Sequence, residues 1–159
     1  MTEPPADLRA GCRRAQLVGV VLLITIGVYA LVLGRIAAQH APFVGFAPSV
    51  DLRLLRVVFA VVAVADLVAL RIVTQVLLAR PGWPVAPARG SSPVTRRLFA
   101  LSIVRLSICE AIAVLGVVLF LLVGRPADFY GFAVASFAAF AFHFPRLSQW
   151  EDWARQAPA

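Results

Sequence analysis

Four stretches of the chain are apolar for about the length of a membrane crossing, and turn-forming or arginine-bearing segments separate them. The first runs from about Gln16 to Ile36 and carries no charge between Gln16 and Gly34. The second runs from about Leu54 to Leu78, the third from about Leu98 to Val123, and the fourth from about Asp128 to Phe144. About 20 apolar residues in a helix cross the ~30 Å hydrocarbon core of a bilayer. The pattern therefore predicts an all-α integral membrane four-helix bundle in a single domain, 1–159, with the lipid bilayer as its first partner.

The punctuation agrees. Pro42, Gly45 and Pro48 mark the first connection, where Phe43 and Phe46 fall at interface depth. Pro81, Pro84, Pro87 and Pro93, with Gly90-Ser91-Ser92, predict an extended polar linker over 80–97. Gly124-Arg125-Pro126 predicts a tight turn, and Pro145 stops the fourth run. Beyond it, Trp150 and Trp153 read as an interfacial belt. The charges around them (Arg146, Glu151, Asp152, Arg155) fit a terminal anchor or a short amphipathic helix that docks a partner.

Composition supports a membrane protein: 61% of residues are hydrophobic and 14% charged, against about a quarter charged in soluble domains. The net charge of +7 does not indicate nucleic acid, because the arginines flank apolar runs and form no solvated basic face. Lys and Asn are absent, a bias that suits a GC-rich genome better than a function. Arg9, Arg13, Arg14, Arg80, Arg89, Arg96, Arg97, Arg146 and Arg155 fall on one side of the predicted helices. Arg35, Arg53, Arg56 and Arg125 fall on the other. The positive-inside rule then puts both termini and the linker in the cytoplasm, in a bacterial inner (plasma) membrane protein of the multi-pass type.

Small residues add packing candidates. Gly19, Gly27 and Gly34 are spaced eight and seven apart, which keeps them on one helical face. Gly131 and Ala135 give the fourth run a small face opposite its phenylalanines. Such faces allow close helix approach, within one chain or in a homo-oligomer or larger complex.

The candidate chemistry lies in charges within the second and third runs. Asp66 precedes Arg71 by five residues, and Arg105 precedes Glu110 by five. A charge at mid-membrane costs roughly 2.5–3.5 kcal/mol on insertion scales. With the two helices antiparallel across the linker, both arginines lie roughly 12 Å from the linker-side ends at about 1.5 Å per residue. Asp66 and Glu110 share a deeper layer, which predicts Asp66 near Glu110 and Arg71 near Arg105. Thr74, Gln75 and Ser102 extend the polar character toward the linker as a candidate vestibule. Three readings follow: a static ion lock that fixes helix register, a proton or ion relay carried by the carboxylates and tuned by the arginines, or a binding site for a lipid headgroup or small ligand.

Glu110 to Leu122, a carboxylate followed by small and apolar residues with Gly at 116, resembles the ion-binding helix of rotary ATPase proteolipid (c) subunits. The resemblance implies that Glu110 would carry a proton or sodium ion. It also implies a cytoplasmic loop before that helix, where Arg80-Pro81 opens the linker. The preceding run, Val57 to Leu78, has no glycine, whereas the partner helix of that family is glycine-repeated.

Cys12 and Cys109 give no disulfide framework. Cys12 precedes the first apolar run, which excludes a lipoprotein cleavage site there. His40 and His143 fall at opposite membrane faces, too far apart to share a haem. No metal or cofactor is expected. The sequence-level expectation is a non-enzymatic structural or accessory membrane protein, with ion translocation as the alternative.

Overall fold

The computed structural model describes residues 6–40, 42–47, 51–79 and 92–156, and among these it is all-helical. The helices are α1 (Ala6–Gln39), α2 (Leu52–Ala79), α3 (Pro93–Val123), α4 (Pro126–His143) and α5 (Leu147–Gln156). Three of them, α1, α2 and α3, are long and apolar enough to cross a membrane; α4 and α5 add a fourth if the pair, bent by 55°, counts as one span. By helix length and composition the chain is a multi-pass membrane protein. The linker residues 80–91 lie outside the described residues, and 93–97 form the first turns of α3.

Local chemistry sets the helix ends. The Ser92 hydroxyl caps α3 by accepting from the Thr95 N–H at 3.2 Å, and Pro93 occupies the first turn, where its missing N–H costs nothing. Gly124 ends α3 in the left-handed region at φ 78°, and its N–H reaches the Phe120 carbonyl. Pro126 opens α4. Phe144, which precedes Pro145, takes the extended backbone that a following proline favours, and α4 stops there.

α3 is the hub. It packs against α1, α2, α4 and α5, and α1 also touches α4 and α5. By contrast, α2 packs chiefly on α3, and Leu70 is its one buried residue among the described side chains. Gly116 makes the α3–α4 crossing close: a Cβ there would meet the Phe132 Cβ at 2.7 Å and the Phe129 carbonyl oxygen at 3.1 Å. The Ser136 hydroxyl crosses the same seam to the Cys109 carbonyl at 2.6 Å.

At the end opposite the linker, the α1–α2 connection covers the last turn of α3. The N–H groups of Phe46 and Ala47 donate to the carbonyls of Leu121 (2.9 Å) and Leu122 (3.0 Å), acceptors that a helix end otherwise leaves unsatisfied. Gly45 (φ 77°) and Gly124 pack backbone to backbone, so a side chain on either would strike main-chain atoms. Phe43, expected at interface depth, stacks on Phe120 with 5.3 Å between centroids.

The linker end differs more from expectation. α1 begins at Ala6 and α3 at Pro93, well before the apolar runs do, because their first turns enclose a second small core of Leu8, Cys12, Ala15, Leu98 and Trp150. Trp150 is fully buried there, so it is no interfacial belt residue. The reason lies in geometry: the bend after α4 swings α5 against α1 and α3, and the indole fills the gap between them.

Candidate functional site

The four charges of the second and third runs take four different environments. Glu110 is half-buried on α3, and its Oε1 accepts the Tyr29 hydroxyl of α1 at 3.3 Å. Asp66 is half-buried on the face of α2 that carries Ala63 and Leu70 toward the core. Arg71 is exposed on α2. Arg105 is buried, 6% exposed, with its guanidinium 5.1 Å from the centre of the Trp153 ring on α5.

Among the described residues no hydrogen bond or ion pair joins any two of these charges. The anticipated Asp66–Glu110 contact is replaced in the described bonds by Tyr29–Glu110. No described contact joins Arg71 to Arg105; the His143 ring at the end of α4 feels the charge of both. The Nδ1 of that ring lies 2.9 Å from the Ala139 carbonyl oxygen. The vestibule candidates are separately disposed: Thr74 donates its hydroxyl to Leu70 of its own helix (2.7 Å), Gln75 is exposed and Ser102 is buried.

Two contacts fix the level of Arg105 relative to α1. Gln16, which opens the charge-free stretch of α1, donates its amide to the Pro145 carbonyl at 3.0 Å. Three residues on, a Cβ at Gly19 would meet Phe144 at 2.8 Å and Leu106 at 3.4 Å. Arg105, adjacent to Leu106, is thus level with the first turn of the apolar stretch of α1.

The small residues divide. Gly19 is a close contact, whereas a Cβ at Gly27, Gly34 or Gly131 would have nothing within 4 Å. Gly131 and Ala135 instead line an apolar groove of about 420 Å³ between α2 and α4, floored by Ile112 and walled on the other side by Ala60, Ala63 and Leu67. Arg56 and Asp128 line the same groove. Arg56 donates from Nε (2.8 Å) and from a terminal nitrogen (3.0 Å) to the two oxygens of Asp128, the two-pronged geometry that favours arginine over lysine.

Sequence reasoning missed that pair, although the topology contained its signal, since both residues lie in the first turns of helices that begin at the same end. It also missed Tyr29, whose hydroxyl is the described partner of Glu110. The Asp7 clamp carried no comparable signal: its Oδ2 accepts from the Ser92 N–H (3.1 Å) and the Thr95 hydroxyl (3.2 Å), tying the start of α1 to the cap of α3.

These contacts provide inter-helix locks at both ends, one carboxylate–phenol pair inside, and one buried cation facing an aromatic ring. No family model, no curated protein and no solved structure matches the chain.

Proposed function

We propose that the chain is a non-enzymatic structural or accessory subunit of a membrane assembly, either a homo-oligomer or a larger complex. In this reading it forms a four-helix bundle with both termini cytoplasmic, in the bacterial inner (plasma) membrane, and the excess of arginines near the termini and linker supports that orientation.

The observation that carries the reading is Asp66 on α2. Its carboxylate has no hydrogen-bond or ion-pair partner among the described residues, and its helix is covered chiefly by α3 alone. A carboxylate in hydrocarbon is costly without a donor. A neighbouring subunit seated on α2 supplies both donor and cover. Open glycines at 27, 34 and 131 offer further surfaces for close approach. Meanwhile the inter-helix bonds of Arg56, Tyr29, Gln16 and Ser136 hold the rest as a scaffold.

Single cysteines at Val61, Val68 and Ile72, exposed on α2, test this in a background with Cys12→Ala and Cys109→Ala. Expected are cross-links between copies, or to a subunit that copurifies in fixed ratio. Uniform reaction with lipid-soluble reagent and no cross-link at any position contradicts the proposal.

A second reading rests on Glu110 and Tyr29. A half-buried carboxylate facing a phenol within the apolar layer is chemically able to take and release a proton. Proton or sodium flux in proteoliposomes that disappears in Glu110→Gln supports ion translocation; absence of flux in the parent protein removes it.

A further inference from the structure

We propose that the α2–α4 groove seats one acyl chain of an anionic phospholipid, whose phosphate is bound by Arg56 at the groove mouth. This goes beyond the assembly reading. Asp66 does not line the groove, and the open side of Gly131 is assigned here to lipid rather than to a subunit.

The groove, of about 420 Å³, has walls of side chains too small to close it: Ala60 and Ala63 on α2, and Gly131 and Ala135 on α4. A Cβ at Gly131 would meet nothing within 4 Å, so the chain itself leaves this side of α4 open. Length then selects the occupant. From Arg56 at the mouth to Leu67, the last α2 residue of the lining, is eleven residues, or ~16 Å at about 1.5 Å per residue. Half of the ~30 Å hydrocarbon core is ~15 Å. The groove is therefore as long as one leaflet is deep, the reach of one acyl chain, whereas a helix of a second copy would run the full thickness.

Charge selects the headgroup. Both described hydrogen bonds of the Arg56 side chain go to Asp128, and a guanidinium has five N–H donors. The side chain is 41% exposed, so donors remain for an oxyanion arriving along the groove. Arg53 lies three residues before Arg56, and Arg125 three before Asp128; both are exposed, and neither makes an ion pair among the described residues. The other carboxylate at the start of α2, Asp51, accepts the N–H groups of Arg53 and Leu54. Three arginines thus meet two carboxylates in these first turns, which favours an anion. A parallel second copy would bring the same excess of arginine to the same end and be repelled. Arginine forks also match phosphate oxygens two at a time.

The test uses the full-length protein in neutral detergent, examined by native mass spectrometry. Phosphatidylglycerol and phosphatidylcholine with identical acyl chains are titrated separately. Wild type is expected to retain phosphatidylglycerol over phosphatidylcholine, with about tenfold weaker retention in Arg56→Gln, as for one lost charge-assisted contact. Asp128→Asn also breaks the ion pair but leaves the guanidinium, and is expected to retain phosphatidylglycerol at least as well as wild type. Gly131→Leu fills the groove from α4 with a better helix former, and is expected to lose the lipid without a lowered unfolding temperature. The contrast between Arg56→Gln and Asp128→Asn stands however Gly131→Leu folds. Equal retention of the two lipids by wild type, or equal losses in Arg56→Gln and Asp128→Asn, overturns the proposal. So does a disulfide between copies through Gly131→Cys in native membranes, with Cys12 and Cys109 replaced by Ala, because it gives the groove to a second chain.

Discussion

Arg56 on α2 and Asp128 on α4 form a two-pronged ion pair, with hydrogen bonds of 2.8 and 3.0 Å across the mouth of the α2–α4 groove. Because α2 is otherwise held chiefly by α3, this pair is its described side-chain tie to α4. The Arg56 side chain is 41% exposed and that of Asp128 10%, so the coupling is modest. A double-mutant cycle of Arg56→Ala and Asp128→Ala, followed by unfolding in detergent, is expected to give about 1 kcal/mol of coupling. Arg56→Lys is expected to recover only part of it, because one ammonium cannot reproduce both bonds.

The glycines make a prediction by contrast. Gly116→Ala places a methyl where the α3–α4 crossing has no room, and is expected to cost about 1–3 kcal/mol. Gly27→Ala and Gly34→Ala meet nothing within 4 Å in the chain and are expected to leave the stability of the isolated chain unchanged. Thermal unfolding of the three variants in one detergent checks this, and comparable losses in all three would contradict the packing described.

Tyr29 and Glu110 predict a small but specific effect. Hydrogen bonds between membrane helices average about 0.6 kcal/mol and reach about 1.7. Tyr29→Phe removes the hydroxyl that donates to Glu110 and is expected to fall in that range, with Glu110→Gln less costly because an amide oxygen still accepts. Unfolding free energies of both variants and of the double variant measure it; additive effects would deny the contact.

Trp150 anchors the second core at the linker end. Trp150→Ala is expected to remove about 3–5 kcal/mol, the usual cost of deleting a large buried aromatic. It should release α5 as well, so limited proteolysis between Phe144 and Leu147 is expected to accelerate, while Trp153→Ala should act mainly on the surroundings of Arg105. Unchanged cleavage in Trp150→Ala would contradict the burial of that indole.

Much of this fold was legible, because hydropathy reports which segments leave water, and Pro and Gly report where they turn. The order of the helices and the turn at Gly124 followed directly. Helix extent did not: α1 and α3 extend beyond their apolar runs because Leu8, Cys12 and Val94 pack in the small core around Trp150 of α5, a tertiary fact with no local marker. Trp150 and Trp153 illustrate the same limit, since an indole next to an apolar run has one composition whether it faces lipid or a core. Gly19 and Gly27 are alike in sequence and separated only by whether a neighbour lies opposite. The charges of the candidate site were easy to find and hard to pair, since depth can be counted along a helix but rotation toward a particular neighbour cannot. Neither Tyr29 as the partner of Glu110 nor the tie of Asp7 to the cap of α3 carried a local marker.

The proposal that this chain belongs to an assembly depends on Asp66 having its donor in another subunit, and one measurement tests it most directly. Native mass spectrometry of the protein, extracted with its own lipids into native nanodiscs, reports the mass around each 17.1 kDa chain. A discrete species heavier than one chain plus lipid is expected, reduced toward single chains in Asp66→Ala. A single-chain particle in native lipid, the same for wild type and Asp66→Ala, would contradict it.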